Sequence, residues 1–288
     1  MWFLYSISFA LTSSVTNVFA KKILRATDER VYLFVSQLLV ILFLFLIIII
    51  KYQIPFINHI FIVSILISST LGTLAAILVY KALKTTDLSL VSSMSAYNPA
   101  FTAIVSYLLL KEKLGGRDIL GIIFIVVGTY LLRQKNYKNV ISSFMETFNE
   151  KGVRLALLAY LIWSVTPIFE KIAIQNTYPA VPPFASFVGL IISTLILSLL
   201  LIKNKVRPLV SIAKDKKTYL LIGILGAVGQ TCAYLAFSMQ NLGLVTAIFK
   251  LAIIFNTLFG WYFFHETYIA NKLVGAVIMF GGVILIIT

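Results

Sequence analysis

Charge is scarce in this sequence. Only 12% of its 288 residues are Asp, Glu, Lys or Arg, while 60% are hydrophobic and the mean hydropathy is +0.99. A soluble domain carries roughly twice that share of charge. So apolar a chain could not hide its surface from water, which excludes a soluble protein and makes lipid the solvent. Cysteine is nearly absent too. Cys232 stands alone in an apolar run, so an intrachain disulfide is excluded and a packed thiol is expected. Histidine occurs only at His59 and His265, both near the ends of apolar runs. With no paired His, no metal-ligand cluster and no Ser/His/Asp set, an intramembrane enzyme is not expected, and neither is a cofactor. A glycine-rich phosphate loop is missing, which argues against direct use of ATP. Acidic residues number 10 against 24 basic ones, for a net charge of +14. In a soluble protein that excess would suggest nucleic acid. Here it sits in short loops between apolar runs, so it reads as sidedness in a bilayer and no nucleic-acid partner is expected.

Long apolar runs are what the chain does have. Ten can be counted: Trp2 to Lys22, Val31 to Ile50, Phe56 to Tyr80, Leu88 to Leu110, Ile119 to Leu132, Val153 to Gln175, Pro183 to Ile202, Thr218 to Met239, Leu242 to Phe264 and Leu273 to Thr288. Most approach the ~20 residues that cross a hydrocarbon core as helix. The runs lack strict alternation, so a barrel is not predicted. Met1 to Ala20 has no basic leading segment and is expected to be the first span rather than a cleaved leader.

The runs repeat. Ser164-Val165-Thr166-Pro167-Ile168-Phe169-Glu170-Lys171 matches Ser14-Val15-Thr16-Asn17-Val18-Phe19-Ala20-Lys21 in its Ser, Val, Thr, Phe and Lys, 150 residues apart. Tyr80, Ala82, Leu88, Leu90, Val91, Phe101, Glu112, Gly121 and Gly128 recur 154 positions later, as Tyr234, Ala236, Leu242, Leu244, Val245, Phe255, Glu266, Gly275 and Gly282. The predicted fold is therefore an all-α integral membrane protein of ten transmembrane helices in two five-helix repeats. Residues 1–135 form the first, 136–152 a linker and 153–288 the second. An odd number of crossings per unit turns the second copy upside down, an inverted-topology repeat whose interface is the place for a substrate. In the linker, Val140, Ile141, Phe144, Met145 and Phe148 share one helical face, which suits a helix lying on the membrane surface. Lys203 to Lys217 is basic enough to lie against anionic lipid. A solvated linker is the alternative for both segments.

Loops after odd-numbered spans hold eighteen basic residues and those after even-numbered spans five, with Lys250 set aside as intramembrane. This count puts both termini outside the cell and the linker in the cytoplasm.

The duplicated hairpin of spans four and nine carries a resemblance. It reads Leu88-Ser-Leu-Val91, Asn98-Pro99-Ala-Phe101, Leu110-Lys-Glu112-Lys, Gly121 and Gly128, then Leu242-Gly-Leu-Val245, Phe255, His265-Glu266, Gly275 and Gly282. The sequence resembles the ten-helix EamA-type permeases of the drug/metabolite transporter superfamily over nearly its whole length. Ile253 stands where Pro99 has its partner, so span nine is expected to be less kinked than span four. The resemblance implies both termini inside, against the charge count.

Ionisable groups deep in a span are functional candidates by default. Two stand out. Glu170 lies near the end of span six and Lys250 about eight residues into span nine. At ~1.5 Å per residue they come to similar depth from the same side. They are expected to form an ion pair in a central cavity, open to a zwitterion or to a proton; a purely structural pair, or a Glu170 bonded to nearby backbone, is the alternative. Asn17, Trp163, Thr166, Tyr97, Asn98, Gln230, Tyr234 and Asn256 complete the candidate substrate-binding set, suited to a small polar organic molecule. Lys21 and Lys171 are expected to snorkel to headgroups. Glu112 and Glu266 read as caps or interface anchors, with a gating pair as the alternative. The glycines of spans five, eight and ten are assigned to close helix packing, and Pro167 and Gly72 to bends.

The expected function is secondary active transport, with export of a small polar metabolite such as an amino acid by alternating access. A lipid or lipid-linked sugar flippase, or a subunit of one, is the alternative. The expected partners are a small-molecule substrate and the bilayer, with a proton as candidate coupling ion and a homodimer as candidate assembly. The expected location is the plasma membrane, as a multi-pass protein.

Overall fold

The computed structural model describes residues 1–98, 100–101, 115–131, 148–203, 215–240 and 242–287. The described residues are mostly helical. Its elements are α1 (Trp2–Leu24), α2 (Glu29–Lys51), β1 (Phe56–Ile57), α3 (His59–Thr85), α4 (Leu88–Ser93) running into a 3₁₀ turn at Met94–Ala96, α5 (Gly116–Leu131), α6 (Lys151–Trp163), α7 (Thr166–Gln175), β2 (Thr177–Tyr178), α8 (Pro182–Lys203), α9 (Lys216–Met239), α10 (Leu242–Phe249), α11 (Leu251–Phe264) and α12 (Ile269–Ile287). Eight helical stretches among the described residues are long and apolar enough to cross a bilayer, counting α6–α7 and α10–α11 as one stretch each. The fourth predicted span is described only at its start, in α4, and the fifth corresponds to the shorter α5. Pro99, Glu112 and the face formed by Val140, Ile141, Phe144 and Met145 lie outside the described residues, as does most of the basic stretch after α8.

Local chemistry sets the helix ends. The Asp28 side chain accepts a hydrogen bond from Arg30 N at the start of α2, and Asn58 accepts from Phe61 N at the start of α3. Pro182 and Pro183 open α8, where a missing N–H does no harm. At the end of α11, His265 takes a left-handed conformation (φ 52°), which a non-β-branched residue tolerates.

The helices are greasy outside and serine-rich within. On α2, Leu38, Leu42, Phe45 and Ile49 are exposed along one face while Val40, Leu44 and Ile48 are buried on the other. Inside, Ser64, Ser68, Ser69 and Thr73 of α3 are buried, and Thr73 Oγ1 bonds Ser193 Oγ of α8 at 2.7 Å. The glycines act as expected from sequence. α5 and α12 cross where Gly121 meets Gly282 and Gly128 meets Gly275, and on α9 Gly223 and Gly226 receive Leu39 and Val40 of α2 while Gly229 receives Thr12 of α1. Small residues let the backbones close up.

Two spans are interrupted. Span six breaks at Ser164–Val165, because Pro167 has no N–H for the helical ladder and Ser164 Oγ turns back onto Leu161 O at 2.6 Å. Span nine breaks at Lys250. Lys250 N bonds Ala247 O and Ile253 N bonds Lys250 O, both at 2.9 Å, so two i→i−3 bonds tighten one turn there. The expectation that span nine is less kinked than span four turns on Pro99, which lies outside the described residues, but span nine is itself interrupted. A proline is not needed for this break: the tight turn coincides with Phe249, clamped against Phe9 (4.2 Å between centroids) and Phe237 (5.5 Å).

Opposite ends of the bundle are tied differently. At one end the turns after α1, α3 and α11 gather, with Lys84 Nζ on Thr27 O at 3.2 Å and Lys21 Nζ on Glu266 Oε1 at 3.4 Å. At the other, β1 pairs antiparallel with β2, and Asn58 Nδ2 donates to Asn176 Oδ1 at 2.8 Å.

Candidate functional site

A cavity of about 920 Å³ opens inside the bundle, lined from α1, α2, α3, α4, α6 to α12. Both helix breaks face it. Trp163, Ser164 and Thr166 reach it from the break in span six, and Lys250 from the break in span nine. A broken helix leaves backbone groups unsatisfied, and such backbone is tolerated at membrane depth only where it borders protein or a wet cavity.

Of the ten candidate residues read from sequence, nine line this cavity: Asn17, Asn98, Trp163, Thr166, Glu170, Gln230, Tyr234, Lys250 and Asn256. Tyr97 does not. It sits beside Phe101 (6.0 Å between centroids) and Phe148 (6.3 Å), where the ring contributes to the apolar packing of the first half. The fourth span turns 3₁₀ just before it, which swings Tyr97 away from the face shared by Ser92, Ser95 and Asn98.

The expected ion pair between Glu170 and Lys250 is not formed. Glu170 Oε1 accepts from Ser68 Oγ of α3 at 3.1 Å, and its carboxyl group also accepts from the Tyr234 hydroxyl of α9. Lys250 has neither hydrogen bond nor salt bridge from its ammonium to any described residue. The reason lies in the break itself. Lys250 belongs to the turn between α10 and α11, and that turn directs it by its own geometry rather than by the register of one straight helix. The result is a cavity with one dressed carboxyl and one bare ammonium. The Oδ1 of Asn256, one and a half turns on, is buried without a partner, as is Ser69 Oγ across the cavity on α3. Gln230 is held by Ser186 Oγ at 3.3 Å.

Two further expectations change, and a third holds at longer range than a local cap. Lys21 does not snorkel: it is largely buried, and its Nζ donates to Thr86 O at 2.8 Å, at the entry to α4. Lys171 Nζ donates to Gln240 O at 2.9 Å, at the entry to α10. These are repeat-related lysines on repeat-related carbonyls. Glu266 is a cap, but across the molecule. It accepts from Leu88 N at 2.7 Å and from the Ser89 hydroxyl, at the start of α4.

Sequence reasoning missed Gln37, Ser68, Ser69, Thr73, Tyr80, Ser92, Tyr160, Ser186 and Ser193, all on the cavity wall. A signal existed for the α3 set. Ser64, Ser68, Ser69 and Thr73 fall on one helical face of a run that is otherwise apolar.

A multi-pass helical bundle around a polar, partly charged cavity is the architecture of a membrane transporter. Residues 1–134 and 150–288 match the EamA-like transporter family, and the chain belongs to it, within the drug/metabolite transporter superfamily. An uncharacterized transporter of Methanothermobacter thermautotrophicus is 24% identical over 65% of this chain. Solute carrier family 35 member G1 of mouse is 26% identical over 91% of the chain, and the human protein 25% over 71%. The matches span 52% of the archaeal relative's own length and 71% and 56% of the mouse and human proteins. One solved crystal structure shares the fold, with a TM-score of 0.68 at 15% identity over 99% of this chain and 97% of that one.

Proposed function

We propose that the protein is a secondary transporter that exports a small polar metabolite such as an amino acid, by alternating access between two five-helix units of inverted topology. One observation carries this reading: the cavity draws its polar wall from both halves, with Glu170 dressed by Ser68 and Tyr234 and Lys250 left bare. The inversion is supported by the lysine pair. Lys21 meets the entry to α4 at the end where the turns after α1 and α3 gather, whereas Lys171, at the end of α7, lies next to the β1–β2 ribbon end. Ten crossings follow if α4 opens a fourth span and α5 is the fifth.

Lys250 supplies the charge for an anionic group such as a carboxylate, and the positive end of α11 begins at the same turn. Asn256, Asn17 and Gln230 offer amide groups to the rest of the molecule. Serines, threonines and amides around so much of the wall favour a water-soluble cargo over a lipid chain. We assign the multi-pass protein to the plasma membrane, and the count of basic residues in the loops favours the cytoplasm for the end that holds Lys21 and Glu266.

The test is a thermal-shift screen of purified protein against amino acids, sugars and nucleobases, followed by counterflow of any stabilising compound in proteoliposomes. Counterflow of a water-soluble tracer supports the reading; lipid scrambling without tracer movement would replace it with a flippase.

Glu170 is assigned the coupling proton. Glu170→Gln can still accept from Ser68 and Tyr234 but cannot exchange a proton. Accumulation driven by a pH gradient is expected to fall at least ~10-fold while counterflow at equal pH persists, the sign of a lost driving force rather than a lost site. Full gradient-driven accumulation in this variant assigns the proton elsewhere.

A further inference from the structure

The cavity gathers the polar groups inside the bundle and leaves a pair of cations on its outside. Lys22 and Arg25 end α1, three residues apart on one face, with Arg25 still in helical conformation. Both are exposed, and neither side chain makes an ion pair or a hydrogen bond with any described residue. Three carboxylates at this end are committed elsewhere: Asp28 caps α2, Asp87 holds Lys272, and Glu266 accepts from Lys21, Lys272 and Leu88 N. The two cations rest on rings instead. Lys22 Nζ lies 4.8 Å from the Phe263 ring centroid and 5.9 Å from that of Phe19, and the Arg25 guanidinium carbon lies 5.6 Å from that of Phe264. Attraction to the ring faces holds both charges at the level where α1 and α11 end, rather than leaving them loose in water.

Below the cations the surface turns apolar. Leu258, Trp261 and Tyr262 share one exposed face of α11, and Phe263, under Lys22, is exposed as well. Tyr262 is 66% exposed and Trp261 50%. From Phe264 back to Leu258 this surface runs about 9 Å into the span, at ~1.5 Å per residue. Tyr and Trp near the end of a span mark the boundary between headgroups and acyl chains. We infer that the seam of α1 and α11 is a binding site for one anionic phospholipid, with its phosphate on Lys22 and Arg25 and an acyl chain along α11. Charge and shape together select this occupant. Inorganic phosphate has no part to cover Leu258 and Trp261, and a zwitterionic lipid brings a cation of its own to two that are already unpaired. An anionic phospholipid matches both the charge above and the apolar face below. Because α1 belongs to the first half and α11 to the second, the lipid lies across a contact between the halves. The site is separate from the cavity and does not depend on what the cavity carries.

The test is a competition between lipids. The full chain is reconstituted in vesicles of equimolar phosphatidylcholine and phosphatidylglycerol, released in mild detergent, and the lipid that stays bound is counted by native mass spectrometry. The parent is expected to retain one phosphatidylglycerol, preferred over phosphatidylcholine about tenfold or more, the scale set by two basic groups acting on one headgroup. In the double variant Lys22→Gln, Arg25→Gln the preference should fall to within about twofold, since glutamine keeps the polarity and removes the charge. Lys203→Gln is the control. It removes another exposed basic residue, at the end of α8 on the same side of the bundle, and should leave the preference as it is in the parent. Phosphatidylglycerol should also raise the melting temperature of the parent above its value in phosphatidylcholine, and not that of the double variant. Equal retention of the two lipids by the parent overturns the site, whether or not the variants fold. A folded double variant that keeps the full preference overturns it too. So does a Lys203→Gln protein that loses as much as the double variant, because the general field of the basic end would then be what selects the lipid.

Discussion

Lys250→Met is expected to abolish transport and leave the protein folded. The ammonium of Lys250 faces the cavity from the break between α10 and α11, with no carboxylate beside it among the described residues. A bare charge at that depth is a standing cost to folding, several kcal/mol in an apolar setting and less where water fills the cavity. Methionine keeps the length and apolar stem of the side chain while removing the charge. Two readouts should then part company. Counterflow of the cognate compound should fall at least ~100-fold, the scale of a lost charge-assisted contact of about 3 kcal/mol. The melting temperature without substrate should hold or rise, and the stabilisation that substrate gives the parent should vanish. Lys250→Arg keeps the charge but not the shape, and should retain part of the activity. If Lys250→Met transports normally, the ammonium is not a binding group. If it melts well below the parent, Lys250 is structural, and the cavity must hold its substrate by hydrogen bonds alone.

How far the sequence could be read follows from which contacts have a period. The membrane class, eight of the ten spans and the glycine crossings all show as runs or fixed spacings, and these are what the structure returns. Gly121 and Gly128 were recognisable as a packing face, and Gly282 and Gly275 as its copy, though the two copies packing against each other needed coordinates. The cavity wall was legible where a polar group interrupts an apolar run, as at Asn17, Gln230 and Asn256. It was not legible where serines are common enough to pass as filler, as on α3. Depth arithmetic placed Glu170 and Lys250 at one level but could not orient them, because it assumed straight helices, whereas Glu170 follows one break and Lys250 sits in the other. The lysines ending the first span of each half were misread for a related reason. A basic residue near a span end usually reaches for headgroups, and nothing local reveals that a chain entry with free carbonyls, Thr86 or Gln240, is packed beside it. Glu266 shows the same limit: its partners Leu88 and Ser89 lie 178 and 177 residues away.

The second large effect concerns assembly rather than chemistry. Gly282→Val should prevent α12 from seating against α5. A β-carbon at Gly282 would lie 2.6 Å from the Gly121 carbonyl oxygen and 2.9 Å from the Phe124 side chain. The first of these is backbone, set in its own helix, and cannot rotate away. Two spans would have to separate along a face they share, opening the matching contact where a β-carbon built at Gly128 would lie 2.7 Å from the Gly275 carbonyl oxygen. Overpacking of a yielding core costs roughly 1–3 kcal/mol. A backbone collision repeated over two turns should exceed that range, and membrane helices have little hydrophobic drive to offset it. The expected result is loss of monodisperse protein on extraction, or a melting temperature lowered by ten degrees or more. Gly281 supplies the control, since nothing lies within 4 Å of a β-carbon built there. Gly281→Ala should be neutral or stabilising by up to about 1 kcal/mol, because alanine loses less backbone entropy in a helix than glycine does. A Gly282→Val protein that melts like the Gly281→Ala one would mean α5 and α12 do not meet at their glycines. The contact that closes this side of the cavity would then have to be sought elsewhere, beginning with Ile286, which touches both the cavity and the Gly121 position.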